Sequence, residues 1–107
     1  MRRLIFAVGI AFFFSGAAAR AEEVVIRIEN FTYSPAALTI KPGTKVTWVN
    51  DDDIPHLIME NDGKFHSEAL DTGDKFSMTF ADGGEIAYYC ALHPHMKGTI
   101  SVIPGTG

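Results

Sequence analysis

The sequence predicts an all-β domain, a sandwich or barrel, and three observations carry that prediction. Apolar residues alternate with polar ones over short windows instead of recurring every three or four positions. Turn signals punctuate those windows, at Pro42-Gly43, Asn61-Asp62-Gly63, Thr72-Gly73-Asp74 and Asp82-Gly83-Gly84. No window after residue 21 offers an amphipathic helix, and many short strands with regular turns define a sandwich or barrel.

Each element follows from its own pattern. Val24, Ile26 and Ile28 alternate with Val25, Arg27 and Glu29, the period of a half-buried strand. Leu38-Thr39-Ile40 is a short strand, and Val46 and Trp48 alternate with Lys45 and Thr47. Leu57-Ile58-Met59 is another short candidate. Lys75–Phe80 is the cleanest case, with Phe76, Met78 and Phe80 on one face. Ile86 and Tyr88 lead by twos into Cys90, and Ile100 and Val102 alternate with Thr99 and Ser101. Tyr33, Trp48, Phe76 and Phe80 read as core, with Met59 and Met78 as core filling. The tail Pro104–Gly107 reads as frayed.

The 107 residues make one domain at most, and their beginning is set apart from the strands. Arg2-Arg3 precede the apolar run Leu4–Phe14, small residues follow, and Ala19-Arg20-Ala21 fits a small-x-small cleavage site. The run is too short for a spanning helix, which needs about 20 residues. Residues 1–21 are therefore expected to be a signal peptide for export to the periplasm, cleaved after Ala21, and residues 22–107 the domain. Two arginines alone do not specify the twin-arginine route, so the general secretory route is expected. Without Arg2, Arg3 and Arg20, six basic residues face thirteen acidic ones, a net charge of −7 with neutral histidines. Such a surface excludes nucleic acid and anionic lipid as partners and favours a basic one. No stable membrane association is expected, and the chain is read as a monomer. An exported chain with one cysteine forms no internal disulfide, so Cys90 is a buried thiol, an intermolecular link or a ligand.

Its neighbours decide. Cys90, His93 and Met96 are spaced by three in a segment read as a tight loop between two strands, bringing a thiolate, an imidazole and a thioether together. Thiolate and thioether favour soft copper, and two histidines, one cysteine and a weak axial methionine form the electron-transfer copper arrangement. A second imidazole has to come from elsewhere, and His56, in Pro55-His56 at the start of another strand, is the candidate. A ligand from a distant strand ties the loop to the sandwich and limits relaxation when the metal changes charge. His95 reads as exposed near the site and His66 as a surface residue. Two imidazoles and a thiolate also suit a structural zinc ion, which gives no colour and no redox chemistry. A copper chaperone or homeostasis protein is the alternative function. An enzyme is not expected, since no second metal cluster and no Ser/His/Asp array are visible.

The segments Phe31–Pro35 and Leu38–Asn50, with Pro55-His56 and the Cys-x2-His-x2-Met spacing, resemble the small blue (type 1) copper proteins, the cupredoxin family, most of all its amicyanin and plastocyanin branches. The resemblance spans nearly all of residues 22–107. It implies a Greek-key β-sandwich of about eight strands binding one copper ion, Cu(I) or Cu(II), near one end. It also implies a soluble one-electron carrier of the periplasm, serving a redox partner such as a c-type cytochrome or a dehydrogenase. By the same resemblance His56, Cys90 and His93 are the strong ligands, Met96 is the weak one, and His93 has an edge at the surface. Relatives often carry Asn after the first histidine as a brace for the cysteine loop, and here that position is Leu57. The Leu57 N–H can still reach the Cys90 sulfur. Pro94 has no N–H, which removes a possible second donor and implies a lower reduction potential than in relatives with two. Leu92 and Pro94 are candidates for an apolar docking patch. Asp51-Asp52-Asp53 is either a steering patch for a basic partner or a solvated turn.

Overall fold

A computed structural model describes residues 22–104, so the expected signal peptide at residues 1–21 and the tail residues 105–107 lie outside the described residues. Eight strands follow in order: β1 (Glu23–Glu29), β2 (Thr32–Ser34), β3 (Ala37–Ile40), β4 (Thr44–Asn50), β5 (Met59–Glu60), β6 (Lys75–Phe80), β7 (Gly84–Cys90) and β8 (His93–Val102). They form two four-stranded sheets, β2-β1-β4-β6 and β3-β8-β7-β5, and the chain changes sheet five times between β2 and β7. These crossings produce two parallel pairs, β1 with β4 and β3 with β8, while the other pairs are antiparallel. The all-β sandwich is the fold the alternation predicts.

Alternation sets which side chains go inside. In β1, Ile26 and Ile28 are buried while Val25, Arg27 and Glu29 face out, and Phe76, Met78 and Phe80 turn the same way from β6. Trp48 is fully buried between the sheets, with Phe76, Phe80 and Tyr88 around it at ring-centroid distances of 5.4–6.5 Å. Burying one such aromatic contributes roughly 1.5–3 kcal/mol. Ile40, Ile100 and Val102 close the core from the second sheet. Strand β4 departs from simple alternation: from Val46 to Asn50 both faces are buried, because β1 and β6 flank it and loops cover its far end.

Two expectations change. The strand read at Leu57-Ile58-Met59 is only Met59–Glu60. The donors before it are engaged by side chains instead of a ladder: the Leu57 N–H by Cys90 Sγ at 3.3 Å and the Ile58 N–H by Ser67 Oγ at 2.9 Å. The segment after Cys90, read as a loop through Met96, is a tight hairpin. Cys90 pairs with His93 across Ala91-Leu92, and β8 starts at His93, so His93 and Met96 are strand residues.

Candidate metal centre

His56 is held by the chain on either side of it. Its N–H donates to the Leu70 carbonyl (3.1 Å) and its carbonyl accepts the Leu70 N–H (2.7 Å), an isolated antiparallel bridge. The loop leading to it is organised by Asn50, fully buried at the end of β4. The Asn50 amide donates to the carbonyls of Ile54 (2.9 Å) and Leu70 (2.7 Å), and its oxygen accepts the Asp52 N–H (2.9 Å). These bonds satisfy a buried polar side chain and fix the backbone between β4 and His56. Cys90 ends β7 at an irregularity in the ladder between Tyr89 and Cys90, a device that re-aims a side chain at a sheet end.

The result is a convergence of three donors. One ligand atom from each of His56, Cys90 and His93 lies within 4.8 Å of the others. Cys90 Sγ is 3.8 Å from His56 Nδ1 and 3.6 Å from His93 Nδ1. Donors bound to one ion at about 2.0–2.3 Å stand roughly 3.7 Å apart in a trigonal array, so the spacing suits a single ion. His56 and Cys90 are fully buried, and His93 is half-buried, so it alone of the three reaches the surface. Met96, three residues along β8, is 3% exposed within the core cluster that contains Cys90. Thiolate, two imidazoles and a neighbouring thioether form a soft set that fits copper, whereas the usual zinc fourth ligand is a cysteine, histidine, carboxylate or water.

The backbone of Leu57 stands in for the missing side-chain brace. Its N–H reaches Cys90 Sγ, as the sequence allowed, and its carbonyl accepts the Tyr33 hydroxyl at 2.5 Å. Tyr33 is 2% exposed, and burial first, then the nearby Cys90 and Tyr88, push its hydroxyl far above the usual tyrosine range. It therefore stays a neutral donor, and the Leu57 backbone is fastened through both its N–H and its carbonyl without an Asn.

Two residues near the donors were not legible as site residues. Phe31, 51% exposed, packs its ring at right angles to those of His93 (centroids 4.9 Å apart) and His56 (5.6 Å). It and Asn30 both have left-handed backbone, with φ of 60° and 53°. For a phenylalanine that costs roughly 1–3 kcal/mol unless the surroundings hold it. They do: Asp52 Oδ1 accepts the Asn30 N–H (2.7 Å), and Asp52 Oδ2 accepts the Phe31 N–H (3.0 Å) and stands 2.8 Å from His56 Nε2. Desolvation raises the Asp52 pKa, but those two backbone bonds and His56 together outweigh it, so the net shift is downward. The acidic triplet is thus not a uniform patch. Asp51 pairs with Arg27 at 3.0 Å, Asp52 turns to His56, and Asp53 is exposed. Proximity of an acid four residues before a candidate ligand was the one available signal. His95 and His66 are exposed, as read.

A two-sheet β-sandwich with a soft, one-cysteine donor cluster at one end defines a small single-copper protein. The comparisons with known proteins agree: the family description "Cupredoxin-like domain" matches residues 3–102, and the chain belongs to that family. It is similar to amicyanin of Paracoccus versutus, 33% identical over 87 residues covering 77% of this chain and 66% of the relative, just under two thirds of that protein's length. Among solved structures, a purple cupredoxin from Nitrosopumilus maritimus is 40% identical with a TM-score of 0.68, covering 74% of this chain and 98% of that one. A copper-containing nitrite reductase from Thermus scotoductus is 30% identical with a TM-score of 0.71, over 75% of this chain but only 22% of the reductase. Copper is the cofactor that this family and this donor chemistry share.

Proposed function

We propose that His56, Cys90 and His93 are the strong ligands and Met96 the weak ligand of one copper ion, and that the chain is a type 1 (blue) copper protein, a soluble one-electron carrier of the periplasm. Residues 1–21 direct its export and are removed after Ala21. The observation that carries this reading is the convergence of Cys90 Sγ with the Nδ1 atoms of His56 and His93, on three backbone segments already fixed by hydrogen bonds. Bound copper supplies a one-electron couple between Cu(I) and Cu(II). The residues of the chain do the rest. His56 and Cys90 keep water away, the Leu57 N–H shares the charge of the thiolate, and the surface edge of His93 is the exit for the electron. Leu92, 51% exposed, and the exposed Pro94 and Phe31 surround that edge with apolar surface suited to brief docking of a redox partner. The net negative charge of residues 22–107 favours a basic partner, such as a c-type cytochrome, and association that weakens with salt. The chain acts as a carrier and not as an enzyme. The likeness to the nitrite reductase covers about a fifth of that protein, which supports a shared domain and not a shared reaction.

The test is addition of Cu(II) to the processed chain, followed by visible and electron paramagnetic resonance spectra and voltammetry. The expected result is an intense thiolate-to-copper absorption giving a blue protein, and a reversible one-electron wave. Both disappear in Cys90→Ala. A colourless protein, or colour that survives that substitution, overturns the reading. Rapid loss of copper to chelators with an irreversible wave assigns the chain to copper handling instead.

A further inference from the structure

The exposed end of the site holds a group that neither the ligand motif nor the family match assigns. Asp52 makes three contacts at once: with the N–H groups of Asn30 (2.7 Å) and Phe31 (3.0 Å), and with Nε2 of His56 (2.8 Å). Both oxygens already accept a backbone N–H, and an ionised carboxylate is acceptor-only, so the contact with His56 is satisfied by the tautomer that carries its proton on Nε2. That tautomer leaves the Nδ1 lone pair free, and Nδ1 is the atom 3.8 Å from Cys90 Sγ. The same carboxylate holds Asn30 and Phe31 in left-handed conformations, which places the Phe31 ring across both histidines. An amide cannot substitute: its NH2 group would face one of three N–H donors.

We propose that Asp52 is a positioning residue of the copper centre, a carboxylate that fixes the tautomer and direction of His56 and, through the Phe31 peptide, the aromatic cover of His93. The inference rests on His56 being a copper ligand. A ligand imidazole that donates its far N–H to a carboxylate is a stronger base, and loss of such a partner lowers metal affinity by about 10–100-fold. A more basic imidazole and an added negative charge favour Cu(II) over Cu(I). Loss of Asp52 therefore raises the reduction potential, by about 59 mV for each tenfold by which Cu(II) affinity falls more than Cu(I) affinity.

The test compares copper-loaded wild type, Asp52→Asn and Asp53→Asn by Cu(II) competition, Cu(I) competition and voltammetry. Asp53 is exposed one residue away, so its variant removes the same charge without the contact. Asp52→Asn is expected to lose at least tenfold more Cu(II) affinity than Cu(I) affinity and to shift positive in potential, with Asp53→Asn near wild type. Equal shifts in the two variants, or an unmoved potential in Asp52→Asn, overturn the proposal. Should Asp52→Asn not fold, nitrogen-15 spectra of the Cu(I)-loaded wild type decide. An Nε2–H on His56 in slow exchange with solvent supports the proposal, and a freely exchanging one overturns it. A wild type that binds no copper overturns the ligand assignment itself, a different outcome from a loaded wild type that Asp52→Asn leaves unchanged.

Discussion

Replacing Tyr33 with Phe isolates the contact that stands in for the missing Asn brace. The substitution keeps the ring, its edge contact with Tyr88 at 4.7 Å and its volume, and removes only the hydroxyl that donates to the Leu57 carbonyl. That carbonyl belongs to a half-buried residue, and removing its donor leaves an acceptor without its partner, a cost of about 1–3 kcal/mol. In a domain of this size each 1 kcal/mol lowers the melting temperature by about 4–8 °C. The loss extends to the site, because the same residue gives its N–H to Cys90 Sγ. A Leu57 backbone no longer held at its carbonyl directs its N–H less well, so that N–H donates more weakly, more charge stays on the thiolate, and the oxidised copper form gains. Urea unfolding of the copper-free protein and voltammetry of the loaded protein measure the two effects separately. The expected outcome is a midpoint shift without a change in m-value, together with a lower potential. Unfolding free energy within about 0.5 kcal/mol of wild type would refute the hydroxyl's role as a fastening.

Pro94→Ala restores a backbone N–H beside the ligand hairpin. Among the described residues only the Leu57 N–H reaches Cys90 Sγ, so a second donor raises the potential, by about 59 mV if it favours the reduced form tenfold; voltammetry that finds it unchanged or lower counts against this. Gly98→Ala puts a Cβ into the ring and hydroxyl of Tyr88, which is 1% exposed, and the overpacking costs about 1–3 kcal/mol in denaturant unfolding. At high pH the buried tyrosines govern stability. Burial pushes Tyr88 up to about 12 from an ordinary value of 10.0, so its contribution is complete below pH 10 and is lost as pH rises towards 12. Tyr33 shifts the same way, and each ionisation removes about 1.4 kcal/mol per pH unit, so tyrosinate absorbance and loss of fold rise together in an alkaline titration.

The sandwich was legible because its strands bury one face each, and a period of two is a local property. Ile26 and Ile28, and Phe76 with Phe80, can be assigned to the core from their own neighbours. Alternation fails where burial is decided from outside the strand. Val46–Asn50 is enclosed on both faces, and no local pattern distinguishes Asn50 as a buried organiser of the loop that follows. The donors were legible for a different reason: cysteine, histidine and methionine at loop spacing are chemically rare together, so identity substitutes for position. Strand β5 was overread at Leu57-Ile58 because its donors go to Cys90 and Ser67 side chains, and a hydropathy pattern carries no record of hydrogen-bond partners.

Apart from the Leu57 N–H, what surrounds the donors was not legible, and Asp52 shows why. In sequence it is the middle of three aspartates, chemically identical to its neighbours, and a solvated turn is the ordinary fate of such a run. In the structure the three have separate roles, one toward Arg27, one toward His56 and one toward solvent. The separation is produced by Asn50, whose side chain takes the Asp52 N–H and two later carbonyls and thereby sets the course of the turn, and by β1–β2, whose left-handed corner presents two N–H groups to the same carboxylate. Three segments remote in sequence, around residues 30, 50–57 and 90, are thus joined by side-chain bonds outside any ladder. A site assembled this way has its donors directed before the ion arrives, and that is the condition for a change of copper valence with little movement of the surrounding protein.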